Sequence, residues 1–189
     1  MGLDYRYITI IEKSNRERLI TKLSIDATEH KSKFGNCTVI HFKLDKDILH
    51  YLKREIQQNE RLGYWKNLFF RKSRFNDYFL GDKVKIGCIY IEEENLSDFD
   101  YLIVSFKAAS TSMSILFQNS RSIKEWFVDL SKEVNAAVTF LDMEDDGYRI
   151  IYKNGMEMEM TFPEDAEKIL DEQKFYLKIF EDFGRARNV

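Results

Sequence analysis

The run AVTFLDMEDDGYRIIYKNGMEMEMTF, residues 137–162, limits the fold most. It holds three β-rich segments, AVTFLD, YRIIYKNG and MEMEMTF, joined by the turn sequences EDDG and KNG. Asn-Gly between alternating segments is a strong signal for a two-residue hairpin, because a type I′ turn needs positive φ at both central residues. Strands joined so tightly pair antiparallel, since a parallel pair needs a long crossover.

Helices interrupt this pattern elsewhere. DYRYITIIEK alternates and predicts a strand from Tyr5 to Glu12. Ser14 or Asn15 caps a helix through about His30, with Leu19, Leu23 and Ala27 on one face. CTVIHFKL, Cys37 to Leu44, is a second strand, and DKDILHYLKREIQQ repeats Ile48, Leu49, Leu52 and Ile56 at helical spacing. KVKIGCIYIEE and DYLIVSFKA are strands around an acidic loop at Glu92 to Asp100. In SIKEWFVDLSKEV, Ser122 with Glu125 three residues later reads as a capping box, and Ile123, Phe127 and Leu130 form the buried stripe. PEDAEKILDEQKFYLKIFEDFG predicts a closing helix with Pro163 in its first turn, Ile169, Phe175 or Tyr176, and Ile179 or Phe180 along one face, and Gly184 at its end. The expected fold is α+β: one domain, residues 1–189, with a largely antiparallel mixed sheet covered by helices.

A hydrophobic content of 44% in 189 residues suffices for a proper core, and one proline with eight glycines leaves no linker to divide the chain. A net charge of -3 gives no overall attraction to nucleic acid. The start, MGLDYRYITIIEK, lacks the pattern of a signal peptide, and no apolar run is long enough to cross a bilayer. A cytoplasmic protein with no membrane partner is expected, with Cys37 and Cys88 as reduced core thiols.

The stretch SFKAASTSMSILFQNSRSIKEW sets Ser110, Thr111, Ser112 and Ser114 behind an apolar run. Helical spacing groups Met113, Leu116 and Phe117, so a short helix capped by Ser110 or Thr111 is expected, a break at Asn119 and Ser120, then the helix at Ser122. Two helix N-termini so close together offer amides and hydroxyls to an anion, and Ser110, Thr111, Ser112, Ser120 and Arg121 are the candidate anion site, for a phosphorylated small molecule. The competing reading is that these hydroxyls only cap, which the lack of a glycine admitting phosphate to the backbone favours. Phe106, Met113, Leu116, Phe117 and Phe127 are expected to be buried together.

The chain resembles a bacterial protein family whose members begin M-G-[LI]-D-Y and carry a segment similar to FKAASTSMSILFQNSRSIK after a strand similar to IGCIYI. The resemblance covers Met1 to Tyr5 and Lys85 to Asp146, not Arg61 to Phe79. It implies a bacterial origin and no particular chemistry.

Three further constellations bear on function. Asp142, Glu144, Asp146 and Gly147 match the start of a calcium loop, but Lys153 stands where a bidentate Glu belongs, so an acidic hairpin turn is the plainer reading. His30, His41 and His50 are scattered; Cys37 with His41 makes at most half a zinc site. In RLGYWKNLFFRKSRFNDYFLGD, cations interleave with rings, and Tyr64, Trp65, Phe69, Phe70, Arg71 and Arg74 are a candidate partner surface. Single-stranded nucleic acid is a weaker alternative for Arg61 to Phe79, and a core-covering segment is the bland one. No Gly-rich phosphate loop, paired Cys-x-x-Cys or nucleophile elbow is present, so no cofactor and no catalytic residue are implied. The expectation is a protein that works by binding another protein, an immunity-type inhibitor being one instance by analogy.

Overall fold

β1, Arg6–Glu12, alternates side chains between two faces that are both covered, so five of its seven residues are buried. In this computed structural model, which describes residues 2–32, 35–55, 78–96, 99–165, 168 and 170–184, it lies at the middle of the sheet. The chain continues through α1 (Arg16–Asp26), β2 (Ala27–Ser32), β3 (Gly35–Lys43) and α2 (46–55). After the short β4 (Phe79–Leu80) come β5 (Lys83–Asn95), β6 (Tyr101–Ala108), α3 (Thr111–Asn119) and α4 (Arg121–Glu133). The meander β7 (Val138–Asp142), β8 (Tyr148–Lys153) and β9 (Met156–Phe162) follows, then α5 (Glu172–Ile179) and a wider turn of π type, Phe180–Gly184.

The described strands form one sheet in the order β2-β3-β5-β6-β1-β7-β8-β9, with β4 also on β5, and every pair is antiparallel. The expected α+β fold with an antiparallel sheet is therefore present. The Asn154–Gly155 turn has φ of 42° and 87°, both positive as a type I′ hairpin requires.

One sheet face, carrying Tyr5, Tyr7, Val104 and Phe106, packs on Met113, Leu116, Phe117, Trp126 and Phe127 of α3 and α4. Phe106, Met113, Leu116, Phe117 and Phe127 are all buried in this cluster, as their spacing predicts. Tyr7 stacks on Phe127 with centroids 3.9 Å apart, and Phe117 meets Phe127 edge-on. Burial of one such side chain contributes about 1.5–3 kcal/mol. The other face, with Ile8, Ile10, Val138, Phe140 and Ile150, packs on Phe175, Tyr176, Ile179 and Phe180. α4 touches β3 as well as β7 and β8, so strands from both halves of the sheet close around it.

Three register shifts among the described strands let them depart from simple alternation. Thr38 faces Ile89 while Ile40 faces Ile86, so β5 spends three steps where β3 spends two. Gly87 takes the extra step at φ +67°, and a Cβ there would sit 2.7 Å from Met113 Sδ. Val84, Ile86 and Ile89 thereby reach the same core. Against β7, β8 carries the extra residue, since Thr139 faces Tyr152 and Phe140 faces Ile150, so Ile151 and Tyr152 enter the same cluster; against β8, β9 spends three steps, Glu157 to Met160, where β8 spends two.

Several expectations are corrected. α1 stops at Asp26 rather than near His30, because residues 27–32 pair with β3; tertiary pairing overrides helix propensity there. The first part of the expected acidic loop, Glu92 to Asn95, is the end of β5, with Glu92, Glu93 and Glu94 opposite Ser105, Val104 and Ile103. The closing helix does not run unbroken from Pro163. It restarts at Glu172, where the Asp171 side chain accepts the Lys174 amide at 3.2 Å. Cys37 and Cys88 are not free thiols: they form a disulfide between β3 and β5. The bulge at Gly87 breaks the alternation beside Cys88, which is why spacing alone does not pair the two. Ile56 and Ile169 lie outside the described residues.

Candidate functional site

The hydroxyls of the Ser-rich stretch point in different directions. Ser110 is the N-cap of α3 and accepts the Met113 amide at 3.3 Å. Thr111 Oγ1 accepts from the Leu3 amide at 3.2 Å. Ser114 is fully buried; its hydroxyl donates to the Leu3 carbonyl at 2.9 Å and accepts the Tyr5 amide at 3.1 Å, so α3 holds the entry to β1. Ser112 faces a groove beside His50, Tyr51 and Arg54 of α2. Ser120, not Ser122, caps α4, accepting the Ile123 amide at 3.2 Å. The cap therefore lies two residues earlier than expected, and with Ile123 at its third helical position it forms no capping box. Ser122 instead donates its hydroxyl to the Lys43 carbonyl, and Glu125 pairs with the exposed Arg121 at 2.7 Å.

Ser110 and Thr111 stand at one end of α3, Ser120 and Arg121 at the other, separated by about 13 Å of helix. The structure does not bring the five candidate anion residues into one pocket. The negative charge at the start of α4 comes from the chain itself. Asp45 Oδ2 accepts from the Ser120 hydroxyl at 2.6 Å and the Ser122 amide at 3.0 Å, while Oδ1 caps α2 through the amides of Ile48 at 2.8 Å and Asp47 at 3.0 Å. Burial pushes the Asp45 carboxyl up, but these four hydrogen bonds outweigh it and hold the group below the usual range. Asp directly before an apolar repeat is a cap signal in its own right, so half of this role was legible in DKDIL; its second oxygen acts across 75 residues and leaves no local trace.

Asp142, Glu144 and Asp146, the calcium-like loop of the sequence, form the turn between β7 and β8 and bind other parts of the chain. Asp142 is buried, salt-bridged to Arg6 at 3.0 Å and to Lys168, and accepts the Glu144 amide at 3.1 Å. Asp146 accepts the Tyr5 hydroxyl, and burial together with that contact pushes the Tyr5 phenol up to about 12. Gly147, at φ +88°, has no room for a Cβ, which would lie 2.1 Å from the Phe162 carbonyl oxygen. Among the described residues no group of three or more His, Cys, Asp or Glu is placed to hold a metal ion. Cys37, half of the conceivable zinc pair, is taken by its disulfide.

The same turn borders a cleft of about 470 Å³. Six carboxylates line it, from Asp4, Glu144, Asp145, Glu164, Asp171 and Glu172, against three cations, Arg6, Lys107 and Lys168. All three cations are already engaged: Arg6 with Asp142 and Glu172, Lys168 with Asp142, and Lys107 with Glu92 at 2.6 Å. Asp4, Asp145 and Glu164 have no ion-pair partner among the described residues. Leu170, 85% exposed, stands on the rim. The cleft has no local signature in the sequence, because its groups come from four separate regions: Asp4 and Arg6, Lys107, Glu144 and Asp145, and Glu164 to Glu172.

Tyr64, Trp65, Phe69, Phe70, Arg71 and Arg74, the candidate partner surface, lie outside the described residues. No helix among the described residues is long and apolar enough to cross a membrane. Compared with known proteins, the chain matches no protein-family model, no curated protein and no solved structure, so the bacterial origin implied by its resemblance stays an expectation.

Proposed function

We propose that the protein works by binding another protein, and that the acidic cleft receives a basic segment of that partner. The observation that carries this reading is the surplus of carboxylates in the cleft, six against three, with every cation already paired. A lysine or arginine side chain entering there meets uncompensated negative charge, and the exposed Leu170 on the rim adds an apolar anchor. An immunity-type inhibitor, an acidic protein covering the basic surface of a toxin, is one instance. Bacterial origin and cytoplasmic residence belong to the proposal as well. The Cys37–Cys88 disulfide speaks against the second, because such bonds persist mainly in oxidising compartments. The anion reading of the Ser-rich stretch draws no support from the geometry, since Asp45 already fills the start of α4.

The test is fluorescence anisotropy with a labelled peptide rich in lysine and arginine, beside an acidic peptide of equal length. The basic peptide should bind saturably and weaken as salt rises from about 50 to about 500 mM. Asp145→Lys combined with Glu164→Lys, both exposed, should weaken it roughly tenfold without moving Tm. Equal affinity for the variant and the unaltered protein would overturn the reading.

A further inference from the structure

A second cleft, of about 230 Å³, opens between α1, β3, β5, α4 and β9 and shares no residue with the acidic one. Its basic groups come from α1, β3 and β5: Lys22, Lys43 and Lys83. Lys22 and Lys83 bind the buried Asp26, at 3.2 and 2.6 Å, and the Trp126 indole N–H donates to the same carboxylate at 3.1 Å, so Asp26 is fully satisfied. Lys43 has no ion-pair partner among the described residues and is exposed. Its neighbour His41 lines the cleft at 4% exposure, and its Nε2 has no hydrogen-bond partner among the described residues. Burial, with Lys85 and Lys83 nearby and Asp26 opposing them, pushes the His41 imidazole down, which keeps it neutral with one N–H and one lone pair to offer. A buried polar nitrogen left unpaired is costly unless something meets it.

The acidic groups come from other elements. Glu125 and Asp129 lie on the face of α4 that also carries Ser122 and Trp126, at i, i+3, i+4 and i+7, and Glu157 projects from β9. Their partners are rim cations: Arg121 for Glu125, and Lys132 at 4.0 Å from both Asp129 and Glu157. A plain anion entering this cleft meets three carboxylates. A plain cation meets Lys43 and the Lys22–Lys83 pair. Only a molecule with both charges satisfies both sets.

From this arrangement we infer that the cleft binds a small zwitterion of the amino-acid class, its carboxylate held by Lys43 and His41 and its ammonium by the carboxylates of α4 and β9. The site stands whether or not the acidic cleft takes a protein. Isothermal titration calorimetry with the free L-amino acids, one at a time, tests it. At least one should bind saturably, and its N-acetyl and amide derivatives, each lacking one charge, should bind roughly tenfold more weakly. Lys43→Ala, an exposed change that spares the fold, and Glu125→Gln with Asp129→Asn should each cause a similar loss with Tm unchanged, and His41→Gln should match them if its Tm holds. Three results would overturn the inference: no heat of binding with any free amino acid in the millimolar range, equal binding by Lys43→Ala, or acetate and inorganic phosphate binding as tightly as the amino acid.

Discussion

Asp45 does at residue scale what a bound anion would do at the Ser-rich stretch. One of its oxygens caps α2, and the other takes the Ser120 hydroxyl and the Ser122 amide where α4 begins. Asp45→Ala strips a cap and two further hydrogen bonds from a partly buried junction and should cost about 3 kcal/mol in chemical denaturation. The sign of its pH dependence follows from its depressed pKa: the stabilisation is full above the unfolded carboxyl value and is lost as pH falls through the folded one. Asp26, also depressed, loses its contribution in the same direction. The stability gap between the unaltered protein and Asp45→Asn should therefore be constant near neutrality and narrow below about pH 4. A gap that widened in acid would contradict the assignment. Gly87 makes a separate case. Its φ of +67° and the proximity of Met113 predict that Gly87→Ala costs about 1–2 kcal/mol.

The disulfide acts at the scale of elements, tying β3 to β5 across a sequence separation of 51. Closing a loop of that length restricts the unfolded chain by about 4 kcal/mol on the chain-entropy account. Reduction, or Cys37→Ser with Cys88→Ser, should lower Tm by about 10 °C, read by circular dichroism; an unchanged Tm would show that the bridge does not constrain the unfolded state. Elements with strong periodicity were legible in the sequence. Alternation in YITIIE and the NG turn identified β1 and the β7–β9 meander, and Ile123, Phe127 and Leu130 identified the buried stripe of α4. The errors fall where a distant partner decides. Residues 27–32 follow β3 rather than α1, and the extra residue at Gly87 turns the Cys88 segment out of simple alternation; the restart of the last helix is instead a local cap, by Asp171. None of these has a signal in the local spacing of apolar residues.

Across the whole molecule, the fold class was legible and the clefts were not. The sheet brings Asp4, the β7–β8 turn and the segment before α5 to one end, and α4 against both halves of the sheet, so each cleft collects charges from distant parts of the chain. Docking of a basic partner in the acidic cleft is the proposal on which the function rests. Its most direct test is a titration of ¹⁵N-labelled protein with the lysine- and arginine-rich peptide, followed residue by residue through the backbone amides. Docking there should give saturable shifts at Asp4, Glu144 to Asp146, Glu164, Lys168 and Leu170 to Glu172, which reverse at high salt. Shifts centred instead on Ser110 to Arg121, or no saturable shift at the cleft, would contradict it.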